Sequence, residues 1–108
     1  MKLPHAEHAI IESNKIERYL LSATHAHGRH KRRVFVAAGY TAQHLADALL
    51  QLAAESDDAQ ELPSPFGRKF VVRGRIPSRS GSLTVTTIWM LRDGRPPPHF
   101  VTAYPTKP

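Results

Sequence analysis

No cysteine occurs in the 108 residues. A disulfide framework, a thiolate zinc site and a cysteine nucleophile are excluded together. Long apolar runs are missing as well: the opening Met1-Lys2-Leu3-Pro4-His5-Ala6-Glu7-His8 has no apolar signal core, and no stretch approaches the roughly 20 residues of a membrane span. The expectation is a cytoplasmic protein, or one delivered by other machinery, with no membrane partner. Catalytic signatures are scarce too. There is no Gly-x-Ser-x-Gly elbow and no glycine-rich phosphate loop, so neither a serine hydrolase triad nor a phosphate cradle is indicated. Carboxylates are absent where metal chemistry would need them. His25, His27 and His30 lie close together, but no acid stands among them, and from residue 65 to 108 Asp93 is the one acid against eight Lys/Arg. Zinc needs three or four ligands with little positive charge nearby, and two-metal nuclease sites need clustered carboxylates. No metal and no cofactor is expected.

What is present is concentrated in one stretch. His25-Ala-His-Gly-Arg-His-Lys-Arg-Arg33 holds three of the seven histidines and four of the fifteen Lys/Arg. Histidine titrates near neutrality, and Arg and Lys hold phosphate oxygens. The bland alternative is a solvated basic helix face. In a helix opened by Gly28 and ended by Gly39, Lys31 shares a stripe with Val34, Phe35 and Ala38, while Arg29, Arg32 and Arg33 fall on the opposite side. Lys31 is then the misplaced charge, either snorkelling past a core or aimed into a cleft.

Charge is also polarised along the chain. The net +6 is made of a balanced first 24 residues, the basic stretch, an acidic segment at 41–64 with five acids and no Lys/Arg, and the basic segment from 65 onward. Basic segments bracketing an acidic one suit a protein with one surface turned to a polyanion.

Hydropathy predicts the elements. Ser13 or Asn14 caps a first helix with Ile16, Tyr19 and Leu20 at helical spacing, ending near Ser22. The second helix runs through Val34 and Phe35 to Gly39, and Thr41 caps a third with Leu45, Leu49 and Leu52 buried. Pro63 and Pro65 mark a loop. Phe70 to Val72, Leu83 to Leu91 and Phe100 to Tyr104 are rich in Val, Thr, Ile and aromatics and read as strands, with turns at Pro77–Ser82 and Asp93–Pro98. The fold class is α+β, with three N-terminal helices packed on a C-terminal antiparallel β-meander of three to four strands. A single domain spans 1–108, with a helical part at 12–55, a loop at 56–67 and a sheet part at 68–105. Alternation puts Val85, Thr87 and Trp89 on one face of the middle strand, and Phe100, Thr102 and Tyr104 on one face of the last. Which face is the core is open at this point.

A set of His, Lys/Arg, Thr and an aromatic suits RNA cleavage without metal. RNA carries its own nucleophile, the 2′-hydroxyl, so the protein need supply a base, an acid and cations for the phosphorane. His25 or His30 is the candidate acid/base. Lys31 with Arg73 or Arg75 would stabilise the phosphorane, Thr87 and Thr102 would position the phosphate, and Trp89 with Tyr104 would stack or shape the pocket, with Arg29, Arg32 and Arg33 adding phosphate contacts. Each has a structural alternative: Trp89 as core, the threonines as strand formers, His25 as a loop hydrogen bond. The remaining His5, His8, His44 and His99 read as surface residues.

Lys15-x-x-x-Tyr19-Leu20-Leu21, His25-x-x-Gly28-x-x-Lys31-x-x-x-Phe35, Gly39-Tyr40, Thr87-x-Trp89 and Thr102-Ala103-Tyr104-Pro105 resemble a family of small bacterial proteins found alone or as C-terminal toxin modules. The layout is also similar to the barnase, EndoU, colicin and RelE superfamily of ribonuclease toxins. Colicin D-type transfer-RNA nucleases are the nearest in pattern, with Lys31 beside His25 or His30 and Thr87-x-Trp89 as the matching parts. The resemblance implies a ribonuclease toxin acting on transfer RNA or ribosome-bound RNA, neutralised by an acidic antitoxin or immunity protein. The rival reading is a non-catalytic RNA-binding or partner-binding module using the same basic surface.

Overall fold

The computed structural model describes residues 1–12, 15–17 and 26–106, with residues 26–30 described by their backbone. Its described elements are a 3-10 turn at Ala6–His8, helices α1 (Ala26–Ala37) and α2 (Ala42–Glu55), and strands β1 (Asp58–Leu62), β2 (Gly67–Ser78), β3 (Gly81–Arg92) and β4 (His99–Pro105). The four strands form one antiparallel sheet in the order β1-β2-β3-β4.

The expected three N-terminal helices are corrected to two helices and a 3-10 turn among the described residues. Most of the predicted first helix lies outside those residues; Ile16, one of its apolar positions, is buried in the core. The chain before it is used differently, as a clamp on both edges of the sheet. Met1 accepts from the Ala59 amide on β1, and Ile10 forms a parallel bridge to His99 on β4, donating to the Pro98 carbonyl and accepting from Phe100. Both outer strands thus gain a backbone partner from the first ten residues, which blunts their exposed edges.

The stretch expected as a loop at 56–67 also changes. It contains β1, whose Ala59 is buried opposite Val72. Asp58-Ala-Gln-Glu-Leu62 has no β-branched or aromatic residue, so its strand state comes from pairing rather than propensity.

The two helices end and begin as their sequences dictate. Gly39 takes φ +100°, its amide bonds Val36 and the Tyr40 amide bonds Phe35. This is a Schellman closure, and it needs a residue without a Cβ at the left-handed position. Thr41 then caps α2 by accepting from the His44 amide. Leu45, Leu49, Leu52 and Ala53 bury one stripe of α2 against Phe70, Val72 and Ile76 of β2 and Val85, Trp89 and Leu91 of β3. At Gly74 an added Cβ would stand 3.0 Å from Leu52 Cγ, so the glycine permits this close approach of helix to sheet.

One irregularity decides the faces of the sheet. Thr102 pairs with Ile88, but Phe100 pairs with Trp89, so Val101 is an extra residue on β4. Strict alternation would put Phe100 with Thr102 and Tyr104. The bulge instead turns Phe100 and Ala103 into the core and leaves Thr102 and Tyr104 on the other face.

Candidate functional site

The predicted stripe of α1 is realised. Phe35 is fully buried, Lys31, Val34 and Ala38 are half-buried, and Arg32 and Arg33 are exposed. The helix lies against β4, and Lys31 Nζ donates to Thr102 Oγ1 at 3.0 Å while standing 5.8 Å from the centre of the Tyr104 ring. Partial burial pulls the Lys31 ammonium below its ordinary pKa, and among the described residues no carboxylate offsets that effect. An ammonium has three donors, so after Thr102 is served it can still point at a substrate oxygen. The cation near the ring adds a modest electrostatic attraction.

Two further cations share the face on which Thr102 and Tyr104 lie. Antiparallel partners fall on one face, and the register aligns Arg73 with Thr86 and Tyr104 across three strands, with Arg75 opposite Thr84. At roughly 4.8 Å between strands, Arg73 and Tyr104 stand about 10 Å apart by backbone. Both arginines are exposed. The structure therefore brings Lys31, Thr102, Tyr104, Arg73 and Arg75 to one side of the sheet, opposite the face covered by α2.

Thr87 and Trp89 go elsewhere. Both are fully buried, at 0% exposure. Trp89 Nε1 donates to Thr87 Oγ1 at 2.8 Å, and Thr87 in turn donates to the Val72 carbonyl at 2.8 Å. The indole packs edge-on against Phe100, with ring centres 5.4 Å apart. Neither side chain is accessible to a substrate in this structure, and the Thr87 hydroxyl is committed to β2 and the indole.

His25 lies outside the described residues, as do the side chains of Arg29 and His30. The backbone puts residues 29 and 30 in α1, immediately before Lys31. His99 is not a plain surface residue: its Nδ1 is 3.2 Å from Glu12 Oε1, which also receives Arg92 Nη2 at 2.6 Å. The Arg92 hydrogen bond is the main cause of the lowered Glu12 pKa. This cluster fastens residue 12 to β3 and β4. Among the described residues no three His, Asp or Glu side chains gather in a way that could hold a metal ion, and no helix is long and apolar enough to cross a membrane.

The family described as "Domain of unknown function (DUF6883)" matches residues 2–107. No curated protein matches significantly. A solved structure described as "Contact-dependent growth inhibition toxin - immunity protein complex from Klebsiella pneumoniae 342" contains a chain similar to this one, with TM-score 0.65 and 15% identity over 98% of this chain and 100% of that chain. At that identity the likeness shows a shared fold.

Proposed function

The chain belongs to the DUF6883 family, and on that premise we propose that it is a bacterial toxin module, neutralised by an immunity protein and acting in the cytoplasm as a metal-independent endoribonuclease on transfer RNA or ribosome-bound RNA. The similar fold comes from a complex of a growth inhibition toxin with its immunity protein. Of the two members of such a pair, a chain of net charge +6 suits the one that meets a polyanion. Its neutralising partner is then expected to be acidic and to cover the face bearing Arg73, Arg75 and Lys31.

The observation that carries the enzymatic reading is the half-buried Lys31 held at 3.0 Å from Thr102 on a face that also bears two arginines. In the reaction, the 2′-hydroxyl attacks the adjacent phosphorus, a base takes its proton, and the bond to the 5′-oxygen breaks as an acid protonates that leaving oxygen. A cyclic phosphate and a 5′-hydroxyl result. Lys31 and an arginine stabilise the extra negative charge of the phosphorane, and Thr102 orients the phosphate. His25 or His30 supplies the proton transfers. Tyr104, 37% exposed beside Lys31, offers a ring to an unstacked base. Thr87 and Trp89 hold β3 to β2 and do not touch substrate in this account.

Burial of Thr87 and Trp89 also favours the rival, a binding module without catalysis, because it removes two of the candidate active-site groups. Incubation of purified protein with total transfer RNA in EDTA separates the two. Discrete fragments that disappear when His25 and His30 are both replaced by Ala support the enzyme. Intact RNA that nevertheless shifts on a native gel sinks the enzyme for this substrate and leaves the binding module.

A further inference from the structure

A cleft on another part of the surface has a nucleotide's chemistry laid out along it. It exists because β2 outruns its neighbour. β1 pairs with β2 only over Lys69–Arg73, so the residues from Gly74 to Ser78 present an edge that β1 does not cover. Pro77 sits there without an N–H to leave unsatisfied. The α1–α2 junction bridges to this edge: Tyr40 Oη donates to the Pro77 carbonyl at 2.5 Å, and the Arg79 amide donates to Ala38. Between bridge and helix α2 lies a cleft lined by Tyr40, His44, Asp47, Gln51, Ser78 and Arg79.

Its polar groups are separated by sign. At the turn between β2 and β3 stands Arg79, exposed, its guanidinium making no hydrogen bond or ion pair to any described residue. Its stem lies over Gly39, where a Cβ would come within 3.0 Å of Arg79 Nε, so the glycine also makes room for this arginine. On the facing wall, α2 presents Asp47 and Gln51 one turn apart. Asp47 Oδ1 accepts from Gln43 and keeps acceptor capacity for a further donor. Tyr40, anchored through its hydroxyl, lines the same cleft. A cation, an aromatic plane and a carboxylate match the phosphate, the base plane and the donor edge of one nucleotide.

The cleft also connects toward Lys31. Ala38 and Ser78 line both this cleft and a neighbouring groove that carries Arg33, Ser80 and Ser82. Lys31 and Ala38 are seven residues apart on the α1 stripe, about 10 Å along the axis. Pro77 pairs with Ser82, and Thr102 pairs with Ile88 six residues farther along β3, so the cleft edge and Thr102 stand roughly 20 Å apart along the sheet. We propose that the cleft is a subsite for a nucleotide a few positions along the strand from the one held at Lys31 and Thr102, with its phosphate at Arg79, its base on Tyr40 and its donor edge read by Asp47. Its place on the same strand rests on the RNA reading above; nucleotide binding in the cleft does not need catalysis.

The test is a titration of the full chain, followed by backbone amide NMR, with the four nucleoside monophosphates and with inorganic phosphate. Nucleotides are expected to shift the amides of Tyr40, His44 and Arg79. Arg79→Ala weakens all four by about tenfold, the loss of one charge-assisted contact, and Asp47→Asn changes the order of preference among the bases. Shifts confined to the Lys31 and Thr102 face, or none at millimolar nucleotide, overturn the subsite. Inorganic phosphate shifting Arg79 as strongly as the nucleotides do, with Tyr40 unmoved, overturns the base-binding part. A cleft that responds in a protein that cuts no RNA sinks the enzyme and leaves the subsite; cleavage with a silent cleft does the reverse.

Discussion

Thr87-x-Trp89 on β3 and Thr102-x-Tyr104 on β4 repeat one pattern, a threonine two residues before an aromatic ring, yet the fold sends them to opposite faces of the same sheet. The first pair is closed in the core, its hydroxyl and indole bonded to each other and to Val72. The second is open and meets Lys31. The difference arises from register rather than composition, since Thr102 pairs with Ile88 and not with a core-facing residue. A pattern of residue types names a possible site, and strand pairing decides whether solvent can reach it.

Replacements should separate the two pairs by what they damage. Trp89→Ala is expected to have the largest effect, destabilising by about 3–5 kcal/mol through loss of a buried ring and the cavity left behind, seen as a collapse of the thermal transition. Lys31→Ala should leave the melting temperature within a few degrees while slowing RNA cleavage about 100-fold, the scale of removing one group that stabilises developing charge. Thr87→Val should cost about 1–3 kcal/mol, because the buried Trp89 N–H loses its acceptor, whereas Thr102→Val should change stability by less than about 1 kcal/mol and lower cleavage by roughly tenfold. A Thr87→Val variant that folds normally but cuts no RNA would break the comparison.

Two pH effects sharpen it further. If the Lys31 ammonium stabilises the phosphorane, the alkaline limb of cleavage lies below the ordinary lysine value of 10.5, because burial favours the neutral amine. Lys31→Arg should remove that limb. The smallest effect is at Glu12, whose folded pKa is depressed by Arg92. A depressed carboxylate stabilises the fold above its ordinary value of 4.5, and that contribution is lost as pH falls through the lower folded value. Glu12→Gln should flatten this acid-side slope in a melting series.

Much of the helical part is legible in the sequence where cap and spacing agree. Thr41 with Leu45, Leu49 and Leu52 announces α2, and Gly39 announces the end of α1. The misplaced charge at Lys31 is legible for the same reason, since 3.6 residues per turn puts it on the Phe35 stripe. What it touches is not, because the contact with Thr102 depends on the extra residue Val101 in β4. Without that bulge Phe100 would carry Thr102 and Tyr104 into the core with it. β1 is hidden because Asp58-Ala-Gln-Glu-Leu62 has no strand propensity and is recruited by the edge of β2. The cleft at Tyr40 and Arg79 joins residues almost 40 positions apart, and in the sequence its one sign is His44, Asp47 and Gln51 recurring at helical spacing on α2.

The most direct test of the account is a single-turnover measurement of transfer-RNA cleavage in EDTA, comparing wild type with Lys31→Ala at RNA concentrations that saturate both, alongside their thermal melts. The account predicts fragments from the wild type, a rate about 100-fold lower for the variant, and melting temperatures within a few degrees of each other. Equal rates for the two folded proteins would contradict it, because the face that joins Lys31 to Thr102 would then have no part in the chemistry.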